Sequence, residues 1–290
     1  MSIPTRTPGT STARTTLPRQ TWQSQEHFYT HHIAENKPAL YANAAKQWRS
    51  TRLWNAEYLK NILKNGNTTA ESVPVVVGVE ESTNGNQARH RINMRFQDFI
   101  TSLHNGACKG YLKQYNLSNS PEMRKDCQPE SFFSSWSQFS GECNLWMGSE
   151  SSGAKTGLHN DDEENLLCQI TGRKRVLMIA PEENKHLYVN QLYDSGTECC
   201  DVNASTPNFK IHPLFQNVKT IYTVVLEPGD VLYLPKFWYH EVTPVGEVSI
   251  SINYFCSTAI EMLRYGLIRI VLDYLHRMGF YKSGNCVCCG

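Results

Sequence analysis

Short apolar runs separated by turn residues fill the middle of this 290-residue chain. Such runs, rich in β-branched and aromatic residues and bounded by Gly, Pro, Asn or Ser, are typical of β-strands. Many short strands at short intervals predict an antiparallel barrel or sandwich. The clearest runs are VPVVVGV (73–79), GYLKQYNL (110–117), CNLWMGS (143–149), KRVLMIA (174–180) and VVLEPGDVLYLP (224–235).

Helical periodicity flanks these strands. TRLWNAEYLKNILKNG (51–66) places apolar residues at helical spacing and ends in glycine. STAIEMLRYGLIRIVLDYLHRMGFY (257–281) carries an apolar stripe, which must be buried either on its own domain or in a two-fold interface with a second copy of the chain. We therefore predict a mainly β fold with flanking helices. The residues of the stripe are Ile260, Leu263, Leu267, Ile270, Val271 and Leu275.

Three regions are predicted along the chain. Residues 1–20 are rich in Ser, Thr and Pro and contain no acidic residue, which predicts a disordered N-terminal leader. Their arginines also fit a mitochondrial transit peptide, but the prolines would break the amphipathic helix that such a signal needs. Residues 21–256 form the strand-rich domain, and residues 257–290 form a C-terminal helical segment that could mediate dimerisation.

Composition narrows the class of protein. An apolar content of 40% supports a sizeable core, and a net charge of +1 gives no bulk electrostatic reason to bind nucleic acid or a membrane surface. The sequence has no apolar run long enough for a membrane span and no secretory signal. Most of the ten cysteines are scattered, as buried thiols of a protein in the cytoplasm or nucleus would be. The tail with Cys286, Cys288 and Cys289 lacks the partners of a zinc site, and its role stays open.

One short motif suggests chemistry. His159 and Asp161 are separated by one residue, so on an extended segment both side chains point to the same face. His240 follows the strand-like run 224–235 and could complete the set. Two imidazoles and one carboxylate on one face of a metal leave the opposite positions open, which suits non-haem Fe(II) in oxygen chemistry. Any short motif is weak evidence alone, but both parts lie at the edges of apolar strand-like runs.

Several motifs together resemble a known family. T-x-L-H-x-D precedes E-N-L-L-x-Q-I-x-G-x-K, then P-G-D-V-L-Y-L-P-x-x-W-x-H, and then a strand that ends in Asn253. With these motifs, residues 22–255 resemble the Jumonji-C (cupin-type) Fe(II)- and 2-oxoglutarate-dependent oxygenases. Within that family the chain is similar to the small hydroxylases, which act on asparaginyl, arginyl or lysyl side chains or on wybutosine in tRNA. The resemblance implies a double-stranded β-helix (jelly-roll or cupin) core.

The resemblance also implies site residues and cofactors. Fe(II) would be the metal, and 2-oxoglutarate and O2 would be co-substrates. Lys174 would pair with the distal carboxylate of 2-oxoglutarate, and Thr156 and Tyr111 would hydrogen-bond to it. The metal ligands implied are His159, Asp161 and His240. The polar residues implied at the co-substrate end are Asn165, Asn253 and Asn144, and the aromatic residues implied near the substrate are Trp146 and Trp238.

The implied reaction leaves several substrates open. Oxidative decarboxylation of 2-oxoglutarate to succinate and CO2 would produce a ferryl oxidant that removes hydrogen from a substrate C–H bond and returns hydroxyl. We favour a side chain of a protein as the substrate. The alternatives are hydroxylation of a tRNA base, demethylation of N-methyl-lysine, and a non-catalytic cupin that only binds. If Asp162, Glu163 and Glu164 rim the pocket, they would favour a basic substrate residue.

Overall fold

The structure is a computed structural model and describes residues 12–65, 72–77, 91–107, 110–133 and 140–286. Its strands are β1 (Ala13–Thr16), β2 (Arg19–Gln20), β3 (Ala39–Tyr41), β4 (Ser72–Val77), β5 (Arg91–Arg95), β6 (Gly110–Asn116), β7 (Ser140–Gly148), β8 (Thr156–Asp161), β9 (Glu164–Ile179), β10 (Thr197–Cys199), β11 (Thr220–Leu226), β12 (Val231–Leu234) and β13 (Tyr239–Ser257). Its α-helices are α1 (Gln25–Phe28), α2 (Arg49–Leu53), α3 (Ala56–Asn65), α4 (Phe96–His104), α5 (Pro121–Arg124), α6 (Ala259–Glu261) and α7 (Leu267–Arg277). Two π-helical turns cover Tyr29–Ile33 and Met262–Gly266, and 3-10 helices cover Leu117–Asn119, Pro129–Phe132, Pro181–His186 and Pro213–Asn217.

Two long strands, β9 and β13, run through both sheets of the barrel. The first half of β9 pairs with β12 and with the second half of β13, whereas the second half of β9 pairs with β11 and with the first half of β13. One sheet therefore has the order β10-β8-β13-β9-β11-β1, and the other has the order β5-β4-β6-β7-β13-β9-β12-β3-β2. Two mostly antiparallel sheets that face each other form a jelly roll, so the predicted fold class is confirmed.

The helices α3 and α4 cover the larger sheet. Leu59 of α3 and Phe99 of α4 are fully buried and share one apolar cluster with Val75, Leu112 and Leu145 of the strands β4, β6 and β7. Each helix is amphipathic and turns its apolar face to the sheet, which for α3 agrees with the periodicity of residues 51–66. This packing supports the strands that carry one wall of the barrel interior.

Residues 13–20 differ from the prediction of a disordered leader. Strand β1 runs parallel to β11, and β2 runs parallel to β3, so the segment extends both sheets at their edges. Leu17 is buried, and the guanidinium of Arg19 donates to Asp230 at 2.6 Å. The Ser- and Thr-rich composition did not predict these strands, because an edge strand is formed by backbone hydrogen bonds to its neighbour and needs few apolar side chains. Residues 1–11 lie outside the described part of the chain.

Two other predictions concern the burial of the cysteines and the presence of a membrane-spanning segment. The seven cysteines in the described ranges are all buried, as scattered structural thiols would be. They are Cys127, Cys143, Cys168, Cys199, Cys200, Cys256 and Cys286. None of the helices in these ranges is both long and apolar enough to cross a membrane.

The C-terminal segment forms a helix whose apolar stripe faces outward. It comprises α6, the second π-helical turn and α7, and it begins with a capping box formed by Thr258 and Glu261. Its polar side chains Glu261, Arg269 and Asp273 face the barrel and contact residues there. Five residues of the predicted stripe are more than half exposed, namely Ile260, Leu263, Leu267, Ile270 and Val271. The domain therefore does not bury this stripe itself.

Candidate active site

The two histidines and the aspartate of the sequence motif meet inside the barrel. His159 and Asp161 lie on β8, and His240 of β13 lies opposite His159 in the antiparallel register. Nε2 of His159 lies 3.8 Å from Oδ2 of Asp161, and Nε2 of His240 lies 3.7 Å from the same oxygen. The three ligand atoms lie within 4.8 Å of one another. All three side chains could therefore bind one face of a single metal ion.

Backbone carbonyl groups orient both histidines. Nδ1 of His159 donates to the carbonyl of Gly157 at 2.8 Å, and Nδ1 of His240 donates to the carbonyl of Trp238 at 3.0 Å. Because a carbonyl oxygen only accepts, Nδ1 carries the proton and Nε2 keeps the lone pair that a metal needs. Burial, and then the neighbouring His240, lower the pKa of His159 to about 4. The imidazole of His159 is therefore neutral at physiological pH and able to bind a cation.

The triad opens onto a cavity of about 440 Å³, and a buried lysine forms part of the cavity wall. Lys174 of β9 is 1% exposed, and its ammonium donates to the hydroxyl of Ser251. No carboxylate in the described part of the chain pairs with it, and burial lowers its pKa to about 7. An unpaired buried charge is costly, so this position suits an anionic ligand.

Two hydroxyl groups lie in the same cavity wall as the lysine. The hydroxyl of Tyr111 on β6 is hydrogen-bonded to the side chain of Thr156 on β8, and burial raises the pKa of Tyr111. Nζ of Lys174 lies 5.8 Å from the centre of the Tyr111 ring. Hydroxyl groups beside an ammonium can donate to the same carboxylate, so these side chains together could bind one end of a dicarboxylate.

Two asparagine side chains and one tryptophan side chain form a second polar cluster in the cavity wall. Nε1 of Trp146 donates to Oδ1 of Asn253 at 2.6 Å, and Nδ2 of Asn253 donates to Oδ1 of Asn165 at 3.4 Å. All three residues line the cavity. Asn144 is fully buried and does not line it, although it pairs directly with Asn253 across β7 and β13. Directly paired residues share a face of the sheet, so the amide of Asn144 points to the same side as Asn253 but does not reach the cavity.

Trp238 does not lie where the resemblance implies. Its indole N–H donates to the carbonyl of Asn36 at 2.8 Å, and its ring packs on Tyr222 with the ring centres 5.8 Å apart. The side chain is buried outside the cavity, so it is not available to a substrate. The residue still serves the site, because its backbone carbonyl accepts the hydrogen bond from His240. Spacing would place Trp238 on the face of His240, two residues later, but Trp238 precedes β13 and directly follows a turn in which Phe237 has a φ of +66°, so the alternation of the strand does not extend to it.

Three residues of the site were missed in the sequence. Ser251 contacts Lys174, Thr197 donates to Asp161 at 3.0 Å, and Lys113 lines the cavity with its ammonium 5.9 Å from the centre of the Trp146 ring. Ser251 and Lys113 could have been found, because each lies two residues from a predicted site residue on a strand and so shares its face. No comparable pattern marks Thr197, which lies in a three-residue strand.

The acidic run after the motif is divided between two environments. Asp162 and Glu163 line the cavity and approach the guanidinium of Arg269 on α7 at 3.3 and 3.5 Å. Burial raises the pKa of Asp162 to about 6 although Arg269 opposes this shift. Glu164 is 5% exposed and pairs with Lys236 at 3.4 Å. The hypothesis that the three acids rim the pocket therefore fails for Glu164, whose carboxylate is buried in the interior.

Together these features define a jelly-roll protein that could hold a metal ion with two histidines and one carboxylate, next to a pocket for an anion. A family model described as a cupin-like domain matches residues 24–262, which is most of the chain. The chain belongs to this cupin-like family, and a relative from Drosophila melanogaster, 28% identical over 254 residues, is a Jumonji C domain-containing protein.

Three relatives illustrate the range of the family. The chain is 27% identical over 251 residues to lysine-specific demethylase 8 of Xenopus tropicalis, and the alignment covers 84% of the chain and 54% of the relative. It is 30% identical over 238 residues to HSPB1-associated protein 1 of Mus musculus, and that alignment covers 75% of the chain and 47% of the relative. It is 33% identical over 135 residues to tRNA wybutosine-synthesizing protein 5 of Gallus gallus, and that alignment covers 47% of the chain and 39% of the relative. The chain thus spans about half the length or less of these relatives.

Proposed function

We propose that the chain is an Fe(II)- and 2-oxoglutarate-dependent dioxygenase that hydroxylates a side chain of a protein substrate. The observation that carries the proposal is Lys174, a buried ammonium without a carboxylate partner in the described chain, in the wall of a cavity that also holds the triad. A dicarboxylate that reaches from the metal to this lysine would neutralise its charge. Succinate and 2-oxoglutarate are such dicarboxylates.

The donor set fits Fe(II). Two neutral imidazoles and one carboxylate suit non-haem iron, and this set leaves open positions for a bidentate co-substrate and oxygen. His159, Asp161 and His240 would hold the metal, and their orientation is set by backbone carbonyls and by Thr197 before any ion binds. When bound, the iron would activate O2, the oxidant that couples decarboxylation of 2-oxoglutarate to hydroxylation of a C–H bond.

The residues of the chain would bind, orient and shield the reactants. Lys174, with the hydroxyls of Tyr111 and Thr156, would bind the distal carboxylate of 2-oxoglutarate. The hydrogen bond from Trp146 to Asn253 holds two polar groups in fixed positions in the cavity. The barrel walls around these groups would exclude water, which strengthens each charge interaction in the site.

The charges around the cavity favour a protein over tRNA as the substrate. Apart from the triad and Lys174, five acidic residues and two basic residues line it. A polyanion would meet net repulsion there, whereas a protein segment with a polar or cationic side chain would not. The acidic residues are Glu142, Asp162, Glu163, Asp194 and Asp273, and the basic residues are Lys113 and Arg269.

The test of the proposed function is succinate formation. Purified protein with Fe(II) and 2-oxoglutarate is expected to form succinate slowly, and faster when a cell extract supplies the substrate. His159→Ala should reduce this turnover to background because it removes a metal ligand. His186→Ala is the matched control, since His186 pairs with Glu183 outside the cavity and its loss should leave turnover unchanged.

The product then separates the candidate reactions. A mass gain of one oxygen on a protein in the extract supports the proposal. Release of formaldehyde would instead indicate demethylation of an N-methyl group, and oxygen gained by RNA would indicate a tRNA hydroxylase. If wild-type protein neither forms succinate nor binds a divalent metal, the chain is a binding module and the proposal fails.

We also propose that the chain forms a homodimer through its C-terminal helix. An exposed stripe of five large aliphatic side chains on one helix face is unusual for a surface in contact with water. The polar face of the same helix already contacts the barrel, so the stripe remains for an external partner. A second copy that packs the same stripe around a two-fold axis would bury both stripes at once.

Sedimentation of the double variant Leu263→Asp/Ile270→Asp tests the homodimer. Wild-type protein is expected to sediment as a dimer and the variant as a monomer, because two buried carboxylates per subunit would outweigh the apolar contact. Ile211→Asp is the matched control, since Ile211 is 65% exposed, close to the 60% of Ile270, but lies outside the helix. A monomeric wild-type protein, or a dimeric double variant, contradicts the proposal.

A further inference from the structure

The two carboxylate oxygens of Asp161 have different surroundings. Oδ2 faces Nε2 of both histidines, 3.8 Å from His159 and 3.7 Å from His240. Oδ1 accepts a hydrogen bond from the hydroxyl of Thr197 at 3.0 Å. One oxygen therefore faces the position between the histidines, and a side chain outside the triad holds the other.

Thr197 reaches Asp161 because β10 pairs with β8. In this antiparallel pair Thr197 lies opposite Asp161, and Glu198 lies opposite Asn160. On the other face of the sheet, Nδ2 of Asn160 donates to the carboxylate of Glu198 at 2.9 Å. Side-chain hydrogen bonds on both faces thus hold the register of a strand that has only three residues.

The segment just before β10 is anchored to the C-terminal region. Asp273 of α7 accepts hydrogen bonds from the hydroxyls of Tyr193 and Ser195, the latter at 3.0 Å. The backbone N–H of Tyr193 donates to the carbonyl of Asn285 at 2.9 Å, and the Tyr193 ring packs on His276 with the ring centres 4.6 Å apart. The segment 193–197 therefore has one end on the C-terminal region and the other end on the carboxylate of Asp161.

We propose that Thr197 is a positioning residue of the metal site and that Asp273 supports it by anchoring the segment 193–197. A carboxylate held at one oxygen is already oriented, so metal binding does not have to order it. It also offers a single oxygen on the side of the two histidines. The C-terminal helix thereby becomes part of the support of the metal site. This inference rests on the proposed function, because it requires Asp161 to be a metal ligand.

Titration of purified full-length protein with Co(II), followed by calorimetry and by the visible absorption of the bound ion, tests the inference without any turnover. Thr197→Val keeps the shape of the side chain and removes the donor. It is expected to weaken Co(II) binding about 10- to 100-fold and to alter the absorption bands, the effect typical of losing a hydrogen bond to a metal ligand. Thr197→Ser restores the hydroxyl and should bind close to wild type. Asp273→Asn should weaken binding by a smaller factor, because it acts only through the segment.

Thermal unfolding of the metal-free proteins separates positioning from folding. Thr197→Val should unfold within a few degrees of wild type, since Thr197 is a half-buried residue of a short strand. If Thr197→Val folds poorly, Asp273→Asn, together with the recovery in Thr197→Ser, carries the test. Wild-type affinity for Co(II) in Thr197→Val overturns the inference while the proposed function stands. Absence of Co(II) binding by wild-type protein overturns both.

Discussion

Lys174→Met is expected to weaken 2-oxoglutarate binding by at least about 30-fold and to stabilise the protein in the absence of the co-substrate. Removal of one partner of a buried charge pair costs roughly 2–5 kcal/mol of binding free energy. Without ligand the same lysine is an uncompensated buried charge, hydrogen-bonded to Ser251 and paired with no carboxylate in the described ranges. An apolar side chain of similar length removes that charge and keeps the packing.

The stability gain should depend on pH in a defined direction. Burial lowers the pKa of Lys174 in the folded protein from 10.5 to about 7. Between these values the unfolded chain binds one more proton than the folded chain, so this lysine makes the wild-type protein more stable as the pH rises. Below about pH 7 both states carry the proton and the folded protein bears the full cost of the buried charge. The advantage of Lys174→Met should therefore be largest there, on the order of a few kcal/mol, and should decline toward pH 10.

Urea unfolding at about pH 6 and about pH 9, with calorimetric titration of 2-oxoglutarate, measures both effects. Lys236→Met provides a control of opposite sign. Lys236 pairs with Glu164 and Glu261, so its loss leaves the buried carboxylate of Glu164 without its cation and should destabilise the protein. A Lys174→Met protein that binds 2-oxoglutarate normally would refute the assigned role of Lys174, and one that is less stable at the lower pH would refute the account of its burial.

The interior residues of the site could be predicted because strand geometry ties sequence spacing to direction. His159 and Asp161 share a face because they are two residues apart on β8, and the structure shows that both face the cavity. Lys174 could be assigned only through its distance from the triad in a known family, since an isolated lysine on a strand gives no such signal. The many short apolar runs predicted only an antiparallel barrel or sandwich, and the jelly roll was implied by the family resemblance.

Residues brought in by distant parts of the chain could not be predicted. Thr197 belongs to a short strand inside a polar insertion, and Asp273 and Arg269 belong to a helix about 100 residues beyond the motif that they support. The apolar stripe of that helix was recognised, but spacing alone does not tell whether the domain or another molecule covers it. Residues 13–16 likewise form a strand because they pair with the distant strand β11, and their local β propensity does not predict this.

Gly172→Ala is expected to destabilise the protein by more than about 4 kcal/mol, the range reached only by severe steric or burial defects. Gly172 has a φ of +66°, and a Cβ there would lie 2.0 Å from the carbonyl oxygen of Val248. This glycine lies where β9 passes from one sheet to the other, opposite a shift in the register of β13 between Val245 and Ile250. Any relief of the clash must move one of the two strands that carry Asn165, Lys174 and His240.

Gly246→Ala isolates the steric part of this effect. Gly246 has a φ of +86°, but a Cβ there would meet no atom within 4 Å, so alanine should cost only the roughly 1–2 kcal/mol of a left-handed backbone conformation. Urea unfolding of both variants gives the difference, and titration of any folded Gly172→Ala protein with 2-oxoglutarate shows whether Lys174 has moved. Equal destabilisation of the two variants would mean that the crossing at Gly172 tolerates a side chain. The position of Lys174 would then not depend on Gly172, although this glycine lies only two residues before the lysine in the motif.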